Sequence, residues 1–434
     1  MTAAPQILAA PAEALIDTPL AIRVTGLAPR QVVTLRGRVA IPDGVTWLSR
    51  ATFVADAAGG LDLSRDVPLA GTYRIADADG LLWSLAAHGS GHRLPTSGRY
   101  VESGLQPYGF RLSLEDIDGG ELAETTLIRL PVAADVLRRS VDEEGVVGTL
   151  FLPPEDRRRH RAVIVVPGSN GGIPEQLAAL YASHGHPALA LGYFGTGGVG
   201  GLPEDLMRIP LEYFENAIGW FTALPEVAGR ALAFDGSSRG GELALLLGSM
   251  FPQIGSVVAW VPSSHLHRAF GPPPDGMKAA AWTWRGKDLP FVPPIRRLRG
   301  SRDADLEHGV PVPHVEDVNW IASHPAFEAA RIPVERTRGP ILLLSGRDDV
   351  MWPSATYCDW IVEHLRACGF PHEVQHLGYE NAGHTIGPPG SPATELFAHA
   401  AGSPRSFPVG GTPEGIARAR AALWPQVLAF LARP

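Results

Sequence analysis

Along the first third of the chain, apolar and polar positions alternate in short runs. LAIRVTGL, VVTLRGRVA, TWLSRATFVAD, TYRI and TTLIRLPV are rich in Val, Thr and Ile, and Ala28-Pro29, Pro42-Asp43-Gly44, Ala58-Gly59-Gly60 and Ala78-Asp79-Gly80 divide them. Period-two alternation broken by turn residues predicts strands with one buried face each, paired in an antiparallel sandwich. After about residue 137 the pattern changes. VVGTLFLPP reads as a leading strand, and AVIVVPG, PALALGYF, RALAFDG, SVVAWVP, PILLLSG and HEVQHLG are compact, mostly apolar runs of strand length. Runs of this kind fit strands covered on both faces. EQLAALYASHG, PLEYFENAIGWFTAL, GGELALLLGSM and SATYCDWIVEHLRACG carry helical spacing between them, and ARARAALWPQVLAFLAR closes the chain. Strands alternating with helices predict a parallel-dominated sheet with helices on both faces. Residues 263–335 lose this periodicity in a Pro-, Trp- and Arg-rich stretch, read as a cap-like insertion at the sheet's edge. The expected division is a β-sandwich over 1–136 and an α/β domain over 137–434.

Composition narrows the class. The chain has 434 residues, 45% hydrophobic and 19% charged, with a net charge of -8. That balance describes a globular protein and favours neither nucleic acid nor an anionic membrane as partner. No apolar run reaches the roughly 18 residues a spanning helix needs. The N-terminus lacks the basic and apolar regions of a signal peptide. Two cysteines, Cys358 and Cys368, fall on one predicted helix and cannot build a disulfide framework. A reducing, cytoplasmic setting is the expectation.

The chemistry centres on FDGSSRGGE, where Gly236, Ser238 and Gly240 form G-x-S-x-G between a predicted strand and a predicted helix. A serine on such a sharp turn stands above the C-terminal edge of a sheet, as in α/β-hydrolase folds. Chance motifs do arise in a chain with 49 glycines, but the strand before and the helix after are the context the chemistry requires. The turn also aims the next backbone N–H, that of Arg239, at an oxyanion. A serine needs a base and an orienting acid, in chain order Ser, Asp or Glu, then His. RDDVMWP follows the strand PILLLSG, so Asp348 and Asp349 both qualify; the spacing of Gly346, Asp349 and Pro353 prefers Asp349. Four histidines compete as base: His364, His372, His376 and His384. The first three lie on predicted regular elements or flank them and read as structural. His384, after Ala382-Gly383 in a loop, has the freedom to reach serine and acid together. The second oxyanion N–H is expected from Ser169 or Asn170 in the glycine-rich VVPGSNGGIPE.

Other motifs read as bland. GTGGVG at 195–200 matches a dinucleotide fingerprint, but Gly201 and Pro203 follow and no strand with a terminal acid comes next. His265 and His267 form H-x-H without an evident third ligand, so no metal is expected. Of two arginine clusters, RRRHR at 157–161 reads as solvated surface, and RRLRGSR at 296–302 is the candidate for contacts with phosphate groups of a carrier.

The run PLEYFENAIGWFTALPEVAG…FDGSSRGGELALLLGSM, with GRDDVMWPS, AGHTIGPP and WTWRGKDLPFVP, resembles the C-terminal domain of type-I acyl-CoA thioesterases and bile acid-CoA:amino acid N-acyltransferases. PLAIRVTGLAPRQVVTLRGRV and the stretch through GLLWSL are similar to that family's β-sandwich, so the likeness covers nearly the whole chain. The resemblance implies a nucleophile at Ser238, an acid in the pair 348–349, a base at His384, and an acyl-CoA thioester as substrate, with coenzyme A arriving as part of it and no separate cofactor. It also implies that serine, rather than the cysteine of the amino-acid-conjugating branch, favours water as acceptor. Asp79 departs from the Met often found there. The expected activity is acyl-CoA thioester hydrolysis through an acyl-enzyme. Acyl transfer to an amine or alcohol is the alternative, and a non-catalytic binding protein is the reading from another class.

Overall fold

The computed structural model describes residues 4–40, 46–88, 104–158, 160–271, 278–292, 318–394, 396–399 and 406–433. In its N-terminal part, Val32–Ala40 pairs antiparallel with Thr46–Val54 and with Tyr108–Glu115, and Glu121–Leu130 extends the sheet. This sheet has seven strands, and Gln6–Ala10, Ala21–Thr25 and Leu61–Asp62 form a second one. Alternate side chains such as Val33, Leu35, Trp47, Phe53 and Phe110 are at most 2% exposed and share one core with Ile22 and Val24. Period-two burial is what the sequence alternation required. One pair is parallel rather than antiparallel, Glu13–Leu15 beside the end of Glu121–Leu130.

TYRI is not a strand. The chain pairs briefly at Ala70–Gly71 and then turns into a short helix, Gly80–Trp83. Local contacts outcompete the ladder there: Trp83 Nε1 and the Asp79 amide both donate to Asp77, each at 2.9 Å. A Cβ on Gly80 would lie 2.2 Å from the Tyr73 ring, so this turn closes only on a glycine.

The second part is built on eight strands: β1 (Leu137–Glu143), β2 (Val146–Leu152), β3 (Ala162–Val166), β4 (Ala188–Leu191), β5 (Leu232–Ser237), β6 (Ile254–Trp260), β7 (Ile341–Gly346) and β8 (Val374–Tyr379). Their spatial order is β1-β2-β4-β3-β5-β6-β7-β8. The β1–β2 and β2–β4 pairs are antiparallel, and from β4 to β8 every pair is parallel. β1 escapes the hydrophobic pattern because only Val141 of its seven residues is buried. Five helices cover the sheet: α1 (Glu175–Ser183), α2 (Glu212–Ala223), α3 (Arg239–Met250), α4 (Ser354–Ala367) and α5 (Pro413–Leu431). Phe214, Leu243 and Ile361 place α2, α3 and α4 on one face, and Leu180 and Leu423 place α1 and α5 on the other. This is the two-faced burial that the continuous apolar strands demanded. Cys358 is buried in α4, Cys368 is the exposed residue just after it, and both are free thiols.

The stretch read as an insertion leaves the sheet after β6 and returns before β7. Its residues 272–277 and 293–317, including the arginine cluster 296–302, lie outside the described residues. In the remainder, Trp282–Trp284 pairs with Ile209–Pro210, and buried Trp282 joins the core on the α3 side of the sheet. The two parts of the chain also share packing. Ile416 and Ala417 of α5 sit in the core of the N-terminal sheets. Asp17 accepts from Trp424 Nε1 at 2.7 Å. No helix among the described residues is long and apolar enough to cross a membrane.

Candidate active site

Ser238 sits at the junction of β5 and α3 with φ 58° and ψ -118°, a conformation rarely adopted by a side-chain-bearing residue. Strain of this kind costs about 1–3 kcal/mol and persists only when neighbours impose it. Here the Ser238 amide donates to the Trp260 carbonyl at 2.8 Å, and its own carbonyl accepts from Glu242 at 3.0 Å. The two motif glycines explain the rest of the turn by proximity rather than by unusual dihedrals. A Cβ on Gly236 would lie 2.1 Å from the Gly240 carbonyl oxygen, and one on Gly240 would lie 2.5 Å from that of Pro167. Strand end, helix start and the Pro167 loop therefore meet backbone to backbone. Gly236→Ala is expected to destabilise the fold by about 1–3 kcal/mol through overpacking. By displacing Ser238 it should also lower turnover by about 100-fold. Denaturant titration beside steady-state kinetics checks both.

His384 Nε2 lies 2.9 Å from Ser238 Oγ, and His384 Nδ1 lies 2.8 Å from Asp349 Oδ2. The Asp349 side chain is 1% exposed, and it also accepts from the Met351 amide at 2.9 Å and from Ser354 Oγ at 2.6 Å. Asp348, its neighbour, is exposed and makes no such contact with His384. The structure thus separates the two aspartates that local sequence left open. A strap missed in the sequence holds this loop pair together. Val409 accepts the His384 amide at 2.7 Å, and bridges join Asp349 to Gly410 and Ala382 to Gly411. A Cβ on Gly410 would fall 1.8 Å from the Asp348 carbonyl oxygen, so the Gly-Gly pair before the Thr412 cap of α5 was the available signal.

The other histidines are engaged elsewhere. His364 contacts Arg331 and Glu335, and His376 contacts Ser345 and Asp359. His372 is an exposed residue ahead of β8. Ser169 and Asn170 lie in the turn after β3, close to Ser238: a Cβ on Gly168 would be 3.3 Å from Ser238 Cβ. Tyr193 Oη donates to the Pro167 carbonyl at 3.1 Å and steadies this turn. The Arg239 amide is the first of α3, with no carbonyl behind it within the helix. The turn after β3 and the first turn of α3 thus both lie beside Ser238.

A buried polar network beneath the serine also went unread. Glu242, fully buried, accepts from Arg239 Nη1 and Trp282 Nε1, each at 2.8 Å, and from the His267 amide at 3.2 Å. Arg239 Nη2 continues to the carbonyls of His267 and Arg268. This ties the first turn of α3 to the segment after β6, and a lone acid inside the apolar run GELALLL was its signal. Glu242→Ala leaves a buried guanidinium without its carboxylate, and a loss of about 3–5 kcal/mol is expected in denaturant unfolding. Within β5, Asp235 accepts from Tyr181 Oη at 2.7 Å and Trp260 Nε1 at 2.9 Å, and burial raises its carboxyl to about 7.

The remaining motifs resolve as local structure. GTGGVG runs into a three-residue turn, Val199–Gly201, rather than a helix. His265 stacks on Phe327, and no group of three metal-ligating side chains occurs among the described residues. In RRRHR, Arg157 pairs with Asp135 and Arg158 donates to the Pro153 carbonyl, while Arg159 lies outside the described residues.

Comparison with known proteins places the chain. The sequence profile of the acyl-CoA thioester hydrolase/BAAT N-terminal region matches residues 17–143, and that of the BAAT/acyl-CoA thioester hydrolase C terminus matches 209–285 and 286–434. Mouse mitochondrial acyl-coenzyme A thioesterase 2 is 32% identical over 95% of this chain and 86% of its own. Mouse peroxisomal succinyl-coenzyme A thioesterase is 30% identical over 96% of this chain and 93% of its own. Among solved structures, a dienelactone hydrolase from Klebsiella pneumoniae aligns with 69% of this chain and 98% of its own at 14% identity, with a TM-score of 0.40. The chain belongs to the acyl-CoA thioester hydrolase and bile acid-CoA:amino acid N-acyltransferase family.

Proposed function

We propose that this protein hydrolyses acyl-CoA thioesters through an acyl-enzyme on Ser238. The observation that carries the reading is the continuous chain Ser238 Oγ, His384, Asp349, with links of 2.9 and 2.8 Å. Ser238 Oγ attacks the thioester carbonyl carbon while His384 Nε2 takes the hydroxyl proton. Asp349 holds the imidazole by Nδ1 and balances the imidazolium charge. The carbonyl oxygen becomes an oxyanion, met by the N–H of Arg239 and that of Ser169 or Asn170. Collapse breaks the C–S bond, and the coenzyme A thiolate, a ready leaving group with a thiol pKa of about 8.5, takes the His384 proton as it departs and so returns the imidazole to its neutral, basic form. Water then attacks the Ser238 ester, His384 takes its proton, and the carboxylic acid departs as the serine is reprotonated. The sequence needs no metal or separate cofactor.

Serine at the nucleophile position supports water as acceptor over an amine. The proposed division into a sandwich over 1–136 and a catalytic part over 137–434 falls where β1 begins. A reducing compartment, the cytoplasm in our reading, suits the two free thiols. The deciding experiment incubates the protein with a panel of acyl-CoAs and looks by mass spectrometry for an acyl group on Ser238. Water or amines are then added. An adduct that water discharges supports the hydrolase. An adduct released faster to an amine turns the reading to acyl transfer, and no adduct from any acyl-CoA overturns both.

A further inference from the structure

The end of β6 holds Ser238 through one residue and bends sharply at the next. The Trp260 carbonyl accepts the Ser238 amide at 2.8 Å. Val261, which follows, is fully buried and has φ 40°. A β-branched residue at positive φ is a steric outlier, and it persists only where its surroundings impose it. Two contacts impose it here. The Val261 amide donates to the Leu344 carbonyl at 2.6 Å, and the Val261 carbonyl accepts from Trp352 Nε1 at 2.9 Å.

Trp352 belongs to the loop between β7 and α4 that carries Asp349, and it is 7% exposed. Its amide and that of Met351 both donate to Asp349 Oδ1, at 3.4 and 2.9 Å. Its ring lies across the His384 ring, with centroids 6.0 Å apart and planes at 74°. That contact supplies what the hydrogen bonds lack. The bonds from Nε2 to Ser238 and from Nδ1 to Asp349 fix two points of the imidazole and leave it able to swing about the line between them. A bulky ring packed edge to face against it limits the swing. The indole is itself hemmed by the rings of His267, 5.0 Å away, and Tyr357, 6.1 Å away.

One side chain therefore meets the backbone turn of the acid, the ring of the base and the strand end that holds the nucleophile. The φ of Val261 sets the tilt of the 260–261 peptide plane, and that plane carries the carbonyl bound by Ser238. Without the indole N–H, the Val261 carbonyl is a buried acceptor with its donor gone. The strained residue is then free to relax and to take the peptide plane with it.

We propose that Trp352 is a positioning residue for the chemistry of Ser238. Its ring holds the plane of His384, and its indole N–H locks the strained turn at Val261 that sets the nucleophile against the base. This rests on the assignment of Ser238, His384 and Asp349, and it is independent of acyl-CoA as the substrate.

Phosphonylation of Ser238 by an alkyl fluorophosphonate reads the attack without any acyl-CoA, so a failure to turn over acyl-CoA counts against the hydrolase alone. Trp352→Phe keeps an aromatic ring and removes the donor. It is expected to lower the limiting rate of phosphonylation by about 10- to 100-fold, with the half-saturating reagent concentration changed far less. Trp352→benzothienylalanine keeps the shape of the indole and removes only the N–H, so it should fold where phenylalanine does not and should lower the rate in the same direction. Trp47→Phe, at a tryptophan equally buried in the N-terminal core, should lower the thermal midpoint and leave the rate within about threefold of the parent. Val261→Gly in the Trp352→Phe background separates positioning from packing. Glycine takes positive φ without strain, so the turn no longer needs the indole, and the double variant should regain about fivefold or more of the lost rate. Lost packing predicts the reverse, because glycine deletes another buried side chain. A rate within about threefold of the parent in both Trp352 variants, an equal loss in Trp47→Phe, or a double variant no faster than Trp352→Phe overturns the proposal. A parent that is not phosphonylated overturns it together with the triad.

Discussion

Ser238→Ala is expected to reduce acyl-CoA hydrolysis by about 10⁴-fold or more, with KM changed far less than kcat. Removing a triad serine elsewhere costs about 10⁶ in kcat, and binding with the oxyanion donors leaves a residual of about 10³–10⁴ over water. The alanine removes only the atom that bonds to carbon. The elbow should survive it, because Ser238 is held by its backbone, through the Trp260 carbonyl and the Glu242 amide, while its side chain bonds to His384. Circular dichroism and the thermal midpoint should therefore match those of the parent. The strained φ of 58° stays equally unfavourable for alanine, so fold stability is not the readout. Rates from the release of free thiol, measured over a range of acyl-CoA concentrations, check the expectation. Retention of more than about a tenth of kcat would sink the acyl-enzyme on this residue, since a lost nucleophile costs far more than 1.4 kcal/mol.

The second large effect separates two adjacent aspartates. Asp349→Asn should lower kcat by about 10⁴-fold, because an amide in place of the carboxylate presents His384 in the wrong tautomer and no longer balances the imidazolium. Asp348→Asn should leave turnover near the parent value and stability within about 0.5 kcal/mol, as for other exposed substitutions. The reason is position. The Asp349 side chain is 1% exposed with Oδ2 at 2.8 Å from His384 Nδ1, while Asp348 faces solvent. Asp349 also takes the Met351 amide and Ser354 Oγ, so the asparagine variant needs a folding control by circular dichroism. A reversed pattern, with Asp348→Asn the damaging change, would reassign the acid.

Much of the fold was open to reading because each signal is local. Alternation in VVTLRGRVA and TWLSRATFV is one strand's own face pattern, and the apolar run AVIVV is one strand's two-sided burial. Where contacts between distant segments took over, local reading failed. TYRI has strand composition, yet Asp77, Trp83 and Gly80 fold its neighbourhood into a turn. β1 was not among the strands read from the sequence, because an edge strand with one buried residue carries no apolar pattern. Glu242 showed only as an unusual charge in an apolar helix, with nothing to name Trp282 or His267 as its partners.

The sequence by itself determined the two-part architecture, the strand-to-helix turn that carries Ser238, and the loop after a late strand that carries His384. These follow from short-range spacing, which a single element expresses through its own dihedrals and burial. Only the tertiary structure decided which aspartate meets His384 and which glycines hold the loops against one another. The serine and histidine lie 146 residues apart, and the histidine and aspartate 35. Their approach to within 3 Å is a property of the assembled sheet, whose packing sets where each loop emerges, and no local pattern carries that distance.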